Sequence, residues 1–207
     1  MQGTEAPRRS LKERQRQERE ELILQASEEV LLEKGYQDTS MDEIAARVGI
    51  AKGTLYLHFS GKEDLVIALF ERDLQTFIRV VEESVASDAP VRAKLETILR
   101  SMYRGVLGKR MQLLAALAES IDIRKQLMEK KEKLRNRWEH ILTAITALLE
   151  EGKAVGEFDS MIPTSVMLST FFTLLPPKGA TFVTEQLPPD ELITHLIHFY
   201  FKGIAAD

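Results

Sequence analysis

Between Ile44 and Lys62 the chain carries Arg47, Lys52 and Lys62 and not one carboxylate. In "GIAKGTLYLHFSGKEDL", Gly49 to Leu65, Thr54, Tyr56, His58 and Ser60 stand between Lys52 and Lys62, together with Gly53, which has no side chain. Cations supply attraction, hydroxyls supply direction, and a glycine lets a surface come close; together they suit a polyanion. The chain as a whole bears a net charge of -4, so its charge is segregated. Arg8, Arg9, Lys12, Arg14, Arg16 and Arg19 crowd the start against Glu5, Glu13 and Glu18, whereas Glu20 to Glu43 is acidic with Lys34 as its one cation. A local basic face on an acidic molecule is what such a distribution presents.

Other chemistry is poorly provided for. The absence of cysteine excludes disulfides, thiolate catalysis and sulfur-bound zinc. No G-x-S-x-G turn and no phosphate-cradling glycine loop occurs, so an enzyme is not expected. His195 and His198, three apart with Glu191 a turn earlier, have the spacing of metal ligands, but no further ligand cluster accompanies them. They read as an exposed or interface pair, and neither metal nor cofactor is expected. The start has charge but no apolar segment for secretion, and the longest apolar run, Val166 to Leu175, stops at Pro176-Pro177. The expectation is a cytoplasmic protein with no membrane partner.

The elements that must position the basic stretch are helices. With 207 residues and 44% hydrophobic side chains, the chain is long enough for one or two packed cores. Apolar Leu22, Ile23, Ala26, Val30 and Leu31 recur at helical spacing, and Gly35 ends that run in a left-handed cap. Ser40 followed by Glu43 is a capping box that starts a second helix near Met41, closed by Gly49. A very short helix from about Lys52 to His58 follows. Ser60 with Glu63 then repeats the capping pattern and opens a long helix to about Ala86. Pro90 begins another that Gly108 closes, and a shorter one spans Met111–Glu119. Asp122 to Glu151 reads as one helix ended by Gly152 and Gly156, and Ser160–Leu175 and Pro189–Gly203 as the last two. The fold class is all-α with about nine helices.

Two helices joined by a tight turn, the second exposed and free of acids, form a helix-turn-helix. Tyr36, Ile44, Ala45, Val48, Ile50, Leu55 and Phe59 supply its small core, leaving Lys52, Gly53, Thr54, Tyr56 and His58 outward. At this point the segment Glu33 to Phe70, "EKGYQDTSMDEIAARVGIAKGTLYLHFSGKEDLVIALF", closely resembles the DNA-binding segment of the TetR family of transcriptional regulators. The likeness lies in Gly-Tyr after the first helix, Thr-Ser at the entry to the second, Gly-Thr-Leu-Tyr in the recognition helix, His-Phe after it and Lys-Glu opening the fourth. It implies a sequence-specific regulator of transcription: residues 1–19 as a flexible basic arm, 20–66 as the DNA-binding domain, and 67–207 as the effector-binding and dimerisation domain. A helical protein-interaction module without DNA binding, and a DNA-binding regulator without a ligand, are the rival readings. The first leaves the hydroxyl-rich helix without a purpose.

At a duplex, Lys52 suits guanine O6 or N7 in the major groove, and Gly53 permits close approach of the backbone. Thr54 offers a hydroxyl to phosphate or a methyl to thymine. The resemblance implies that Tyr56 directs its hydroxyl to a phosphate, and His58 and Lys62 would hold the same strand. Thr39 and Ser40 stand at a helix N-terminus, which favours anions. Arg47 reads as plain surface. The arginines before Arg19 fit either a flexible arm that tracks phosphates or enters a minor groove, or a disordered tail, which the sequence does not separate.

One short helix touches few phosphates, and the family's solution is a dimer whose recognition helices reach successive major grooves, roughly 34–36 Å apart on a palindromic operator. Leu168, Phe172 and Leu175, with Leu196, Ile197, Phe199 and Tyr200, are the candidate interface; Phe199 and Phe201 fall outside the apolar stripe of the last helix. The resemblance also implies a pocket for a small-molecule effector among the helices from Pro90 to Leu175. Met102, Tyr103, Leu114, Leu117, Met128, Leu134, Trp138 and Phe171 are candidate lining residues, and Lys131 falls on the same stripe, where a cation would pair with an acidic ligand. An apolar or acidic effector that releases a repressor from its operator is the resulting expectation.

Overall fold

The computed structural model describes residues 10–107, 131–173 and 187–206. Among these the fold is all-α, with eight helices: α1 Leu11–Asp38, α2 Met41–Val48, α3 Lys52–Tyr56, α4 Lys62–Ala86, α5 Val91–Leu107, α6 Lys131–Ala154, α7 Thr164–Thr173 and α8 Pro189–Ile204. The expected short helix at Met111–Glu119 lies outside the described residues. The chain divides into two compact units, the first running to Phe70 and the second holding the remainder of α4 and α5 to α8.

In the first unit α1 packs on α2 and α2 on α3. Ile23, Leu24, Ala26, Val30 and Leu31 of α1 are buried, as are Met41, Ile44 and Ala45 of α2, Leu55 of α3, and Leu65, Val66, Ile67 and Leu69 of α4. Ser27 is fully buried among them, and its hydroxyl donates to the Ile23 carbonyl at 2.6 Å, so no polar group is left bare there. Gly49 closes α2 in the left-handed conformation, φ 77 and ψ 31, and its N–H reaches back to the last turn. An L side chain would be strained there, and the tight turn into α3 depends on it.

Two local features depart from expectation. Residues 11–19 are not a flexible arm but the opening turns of α1. Ser10 and Glu13 form a reciprocal capping box, and Arg16 pairs with Glu20 one turn on at 3.0 Å. Such local bonds hold opening turns in which Leu11 is the one apolar residue, so hydrophobic periodicity is blind to them. The helix keeps regular dihedrals up to Gly35, where φ is 77 and ψ 175.

The second capping box is also rewired. Ser60 bonds to Asp64 through both its N–H and its hydroxyl. Glu63 instead accepts from the Tyr36 hydroxyl at 2.5 Å.

In the second unit, helical spacing delivers one core. Leu74, Ile78 and Val81 of α4 join Leu95, Ile98, Leu99 and Tyr103 of α5, Ile141, Ile145 and Leu149 of α6, and Met167 and Phe171 of α7. Ile193, Ile197, Tyr200, Phe201 and Ile204 of α8 complete it. α6 runs through Gly152 to Ala154 rather than stopping there. Glycine at that position serves packing and not termination, because the Phe158 ring lies where a Cβ on residue 152 would stand. No helix among the described residues is long and apolar enough to cross a membrane.

Candidate nucleic-acid interface

Five residues are too few for an autonomous helix, so α3 depends on tertiary contact. Leu55 provides it, with no exposed surface at all, a burial of about 1.5–3 kcal/mol. Gly53 lies on the opposite side of the helix from Leu55, and Lys52, Gly53 and Tyr56 are all exposed while Thr54 is half-buried. Tyr56 is 45% exposed, and no hydrogen bond holds its hydroxyl, or that of Thr54, among the described residues. Leu57 stands beside them at 79% exposure, an apolar surface residue that belongs to no periodic stripe and so leaves no signal in the sequence.

Gly53 is the informative position. A Cβ built there meets nothing within 4 Å, and its φ is not positive. Neither space nor backbone conformation requires glycine, yet glycine inside a helix is destabilising by roughly 0.5–1 kcal/mol relative to alanine. Glycine here leaves the outer backbone of α3 bare, with no side chain between it and solvent.

Lys52 is exposed, and its ammonium lies 2.6 Å from the Asp42 carboxylate of α2. That hydrogen bond raises its pKa above the ordinary 10.5 and keeps the amine charged. Ser40 caps α2, accepting from the Glu43 N–H at 3.2 Å. The reciprocal bond is absent because the Glu43 carboxylate turns to Lys34, 2.6 Å away.

Three expected contacts face inward. The side chain of His58 is only 7% exposed, with Nδ1 3.1 Å from Glu20 of α1. Burial pushes the Glu20 carboxyl upward, but hydrogen bonds from His58 and Arg16 outweigh it and hold the group below its ordinary 4.5. Lys62 donates to the Tyr36 carbonyl at 2.9 Å and lies 4.5 Å from the centre of that ring. Thr39 is buried, donating to the Gly35 carbonyl at 2.6 Å. In the free chain these three hold the unit together. Each partner lies on α1 or in its last turn, a relation that local spacing does not encode. Arg47 is held by Glu33 through two bonds, at 3.0 and 2.8 Å, as a surface pair.

In the second unit, Tyr103 and Phe171 are sealed in the core, the phenol donating to the Phe171 carbonyl at 3.3 Å. Met102 is half-buried against the same core, and Trp138 stands at the surface with its ring edge-on to Phe172, 6.0 Å between centres. Leu114, Leu117 and Met128 lie outside the described residues, as do the side chains of Lys131 and Leu134. A groove of about 500 Å³ between α4 and α5 is lined by Val80, Glu96, Arg100 and Arg104 among others, and by none of the expected pocket residues. Its arginines are engaged by Glu96 and Asp190.

Among the candidate interface residues, Ile197 and Tyr200 are core, the Tyr200 hydroxyl donating to the Met167 carbonyl at 3.1 Å. Phe201 is buried too, stacked on Phe158. Leu168, Phe172 and Leu196 are half-buried, Leu175 lies outside the described residues, and Phe199 is 68% exposed. His195 lies 3.8 Å from Glu191, both exposed.

An all-helical chain with a capped α2, a glycine-closed turn and an exposed α3 free of acids is a helix-turn-helix DNA-binding protein. A family model described as bacterial regulatory proteins of the tetR family matches residues 23–69, and one for the C-terminal region of YsiA-like proteins matches residues 70–187, more than half of the chain. The chain belongs to the TetR family of DNA-binding transcriptional regulators, which bind operator DNA as dimers and respond to small molecules.

Similar proteins include the fatty acid metabolism regulator protein of Bacillus subtilis, 27% identical over 79% of this chain and 83% of that one. The HTH-type transcriptional activator FasR of Mycolicibacterium smegmatis is 33% identical over 42% of this chain and 40% of its own length. In fold, the chain is similar to the transcriptional regulator FadR from Bacillus subtilis, solved in complex with stearoyl-CoA. The TM-score is 0.66 at 23% identity, covering 89% of this chain and 98% of that one.

Proposed function

We propose that α3 enters the major groove with Lys52, Gly53 and Thr54 against base edges and the near backbone, while Tyr56 and Ser40 bind phosphate. The single observation behind this reading is Gly53, a helix-weakening residue that nothing in the free fold requires. Residues 67–207 would hold the effector and the dimer contact, with two copies on a palindromic operator. The working protein would reside in the cytoplasm with its DNA, and no catalysis is assigned to it.

For the effector we propose a long-chain acyl thioester of coenzyme A. Similarity to a fatty acid metabolism regulator and to a fold solved with stearoyl-CoA supports this choice. Such a molecule combines the apolar and the acidic character expected from the sequence. Its binding would favour a spacing of the recognition helices that fits DNA less well, and so release a repressor.

The test is selection of bound duplexes from a random pool, repeated with Lys52→Ala. A defined palindromic site whose preference relaxes at one or two positions in the variant supports the reading. Enrichment of no sequence by the wild-type protein defeats it. Stearoyl-CoA, coenzyme A alone and free stearate are then added to the selected complex, and only the thioester should release DNA.

A further inference from the structure

The charged side chains of the first unit are unevenly satisfied. Every lysine or arginine between residues 20 and 70 has an acceptor within the unit: Lys34 has Glu43, Arg47 has Glu33, Lys52 has Asp42 and Lys62 has the Tyr36 carbonyl. Lys12, Arg14 and Arg19, in the opening turns of α1, have no anionic partner among the described residues, and of these Lys12 and Arg19 lie on one face.

At 3.6 residues per turn, Lys12, Gln15, Arg16 and Arg19 share one face of the helix, while Glu13, Glu18 and Glu21 fall on others. That face forms one wall of a groove of about 310 Å³ whose other wall is Leu57 and His58, the residues that follow α3. The groove thus begins where the recognition helix ends.

We propose that this α1 face is a second DNA contact, which binds the sugar-phosphate strand flanking the major groove that holds α3. The inference rests on the docking of α3 proposed above. A duplex seated on α3 runs its backbone past the end of that helix, where two unpaired cations and the exposed Leu57 meet it. Contacts of this kind position the protein and add affinity without reading sequence. Arg16 is a poor probe, because its pairing with Glu20 supports His58. Lys12 and Arg19 are exposed and hold nothing else in place.

The experiment measures affinity of the full chain for its selected duplex, and for a random-sequence duplex of equal length, across a salt series. Wild type is compared with K12Q/R19Q and with the charge-keeping K12R/R19K. The expected result is weaker binding of both duplexes by K12Q/R19Q, with the slope of log affinity against log salt flattened by about 0.9 for each phosphate no longer neutralised. K12R/R19K should keep the wild-type slope, and the ratio of selected to random binding should stay unchanged throughout. A wild-type slope in K12Q/R19Q, with the selected duplex still bound, overturns this inference and leaves the docking of α3 intact. Failure of the wild-type protein to prefer any duplex overturns both.

Discussion

The ammonium of Lys52 and the carboxylate of Asp42 form an ion pair 2.6 Å across, joining the start of the recognition helix to the first turn of α2. The same ammonium lies 6.0 Å from the centre of the Tyr56 ring. The cation proposed to read a base is therefore held before any DNA arrives, and the duplex must compete with Asp42 for it.

Removing that competition should loosen specificity. Asp42→Asn frees Lys52 and deletes an exposed negative charge from the surface proposed to meet DNA. Random-sequence duplex should bind severalfold more tightly while the selected site gains less, so that discrimination falls. Parallel titrations of both duplexes measure it, and unchanged discrimination would show that the pair has no part in recognition.

Gly53→Ala separates folding from binding. Because a Cβ meets open space, stability should rise by about 0.5–1 kcal/mol in thermal unfolding. Affinity for the selected duplex should fall about tenfold or more, equivalent to ~1.4 kcal/mol. A variant both less stable and fully active would reverse the meaning assigned to this residue.

Acid should weaken the first unit through Glu20. Its folded pKa lies below the ordinary 4.5, so its stabilising contribution is present above that pH and is lost as pH falls through the lower folded value. Urea midpoints at neutral pH and at about pH 4 or below should differ less in Glu20→Gln than in wild type. Equal pH sensitivity in the two proteins would deny Glu20 any part in the acid response.

Phe199 and Ile197 lie two residues apart on α8 with opposite expected roles. Phe199→Glu should shift the chain toward monomer in sedimentation while leaving its melting temperature nearly unchanged. Ile197→Ala empties core volume and should cost about 2–5 kcal/mol of stability. A Phe199→Glu protein that stays dimeric would move the interface elsewhere.

Trp138 is the single tryptophan and sits edge-on to Phe172 at the surface of the second unit. Its emission should shift on addition of stearoyl-CoA and saturate, with coenzyme A alone giving no change. Flat emission across acyl chain lengths would count against a ligand near α6.

Legibility in the sequence follows the range of the interactions. Ser40 and Gly49 act within a few residues of themselves, and spacing alone reveals them as cap and turn. His58 and Lys62 are not legible in that way, because Glu20 and Tyr36 lie 38 and 26 residues away and convert exposed-seeming side chains into braces. The opening of α1 carries the same Ser-x-x-Glu signature at Ser10 and Glu13, but no apolar stripe stands behind it there, so a reading led by periodicity passes it over. Tyr200 and Phe199 differ by one position on an amphipathic helix. The surplus of aromatics on α8 hints at association but does not say which ring the monomer core claims.

The most direct measurement is fluorescence anisotropy of the selected duplex against a scrambled one, at fixed salt, with wild type and with Thr54→Ala/Tyr56→Ala. A wild-type preference of about a thousandfold or more is expected. The double variant should lose most of its affinity for the selected site while keeping its helical content. Binding of both duplexes alike by the wild type, or undiminished binding by the variant, would mean that the exposed face of α3 is not what meets DNA.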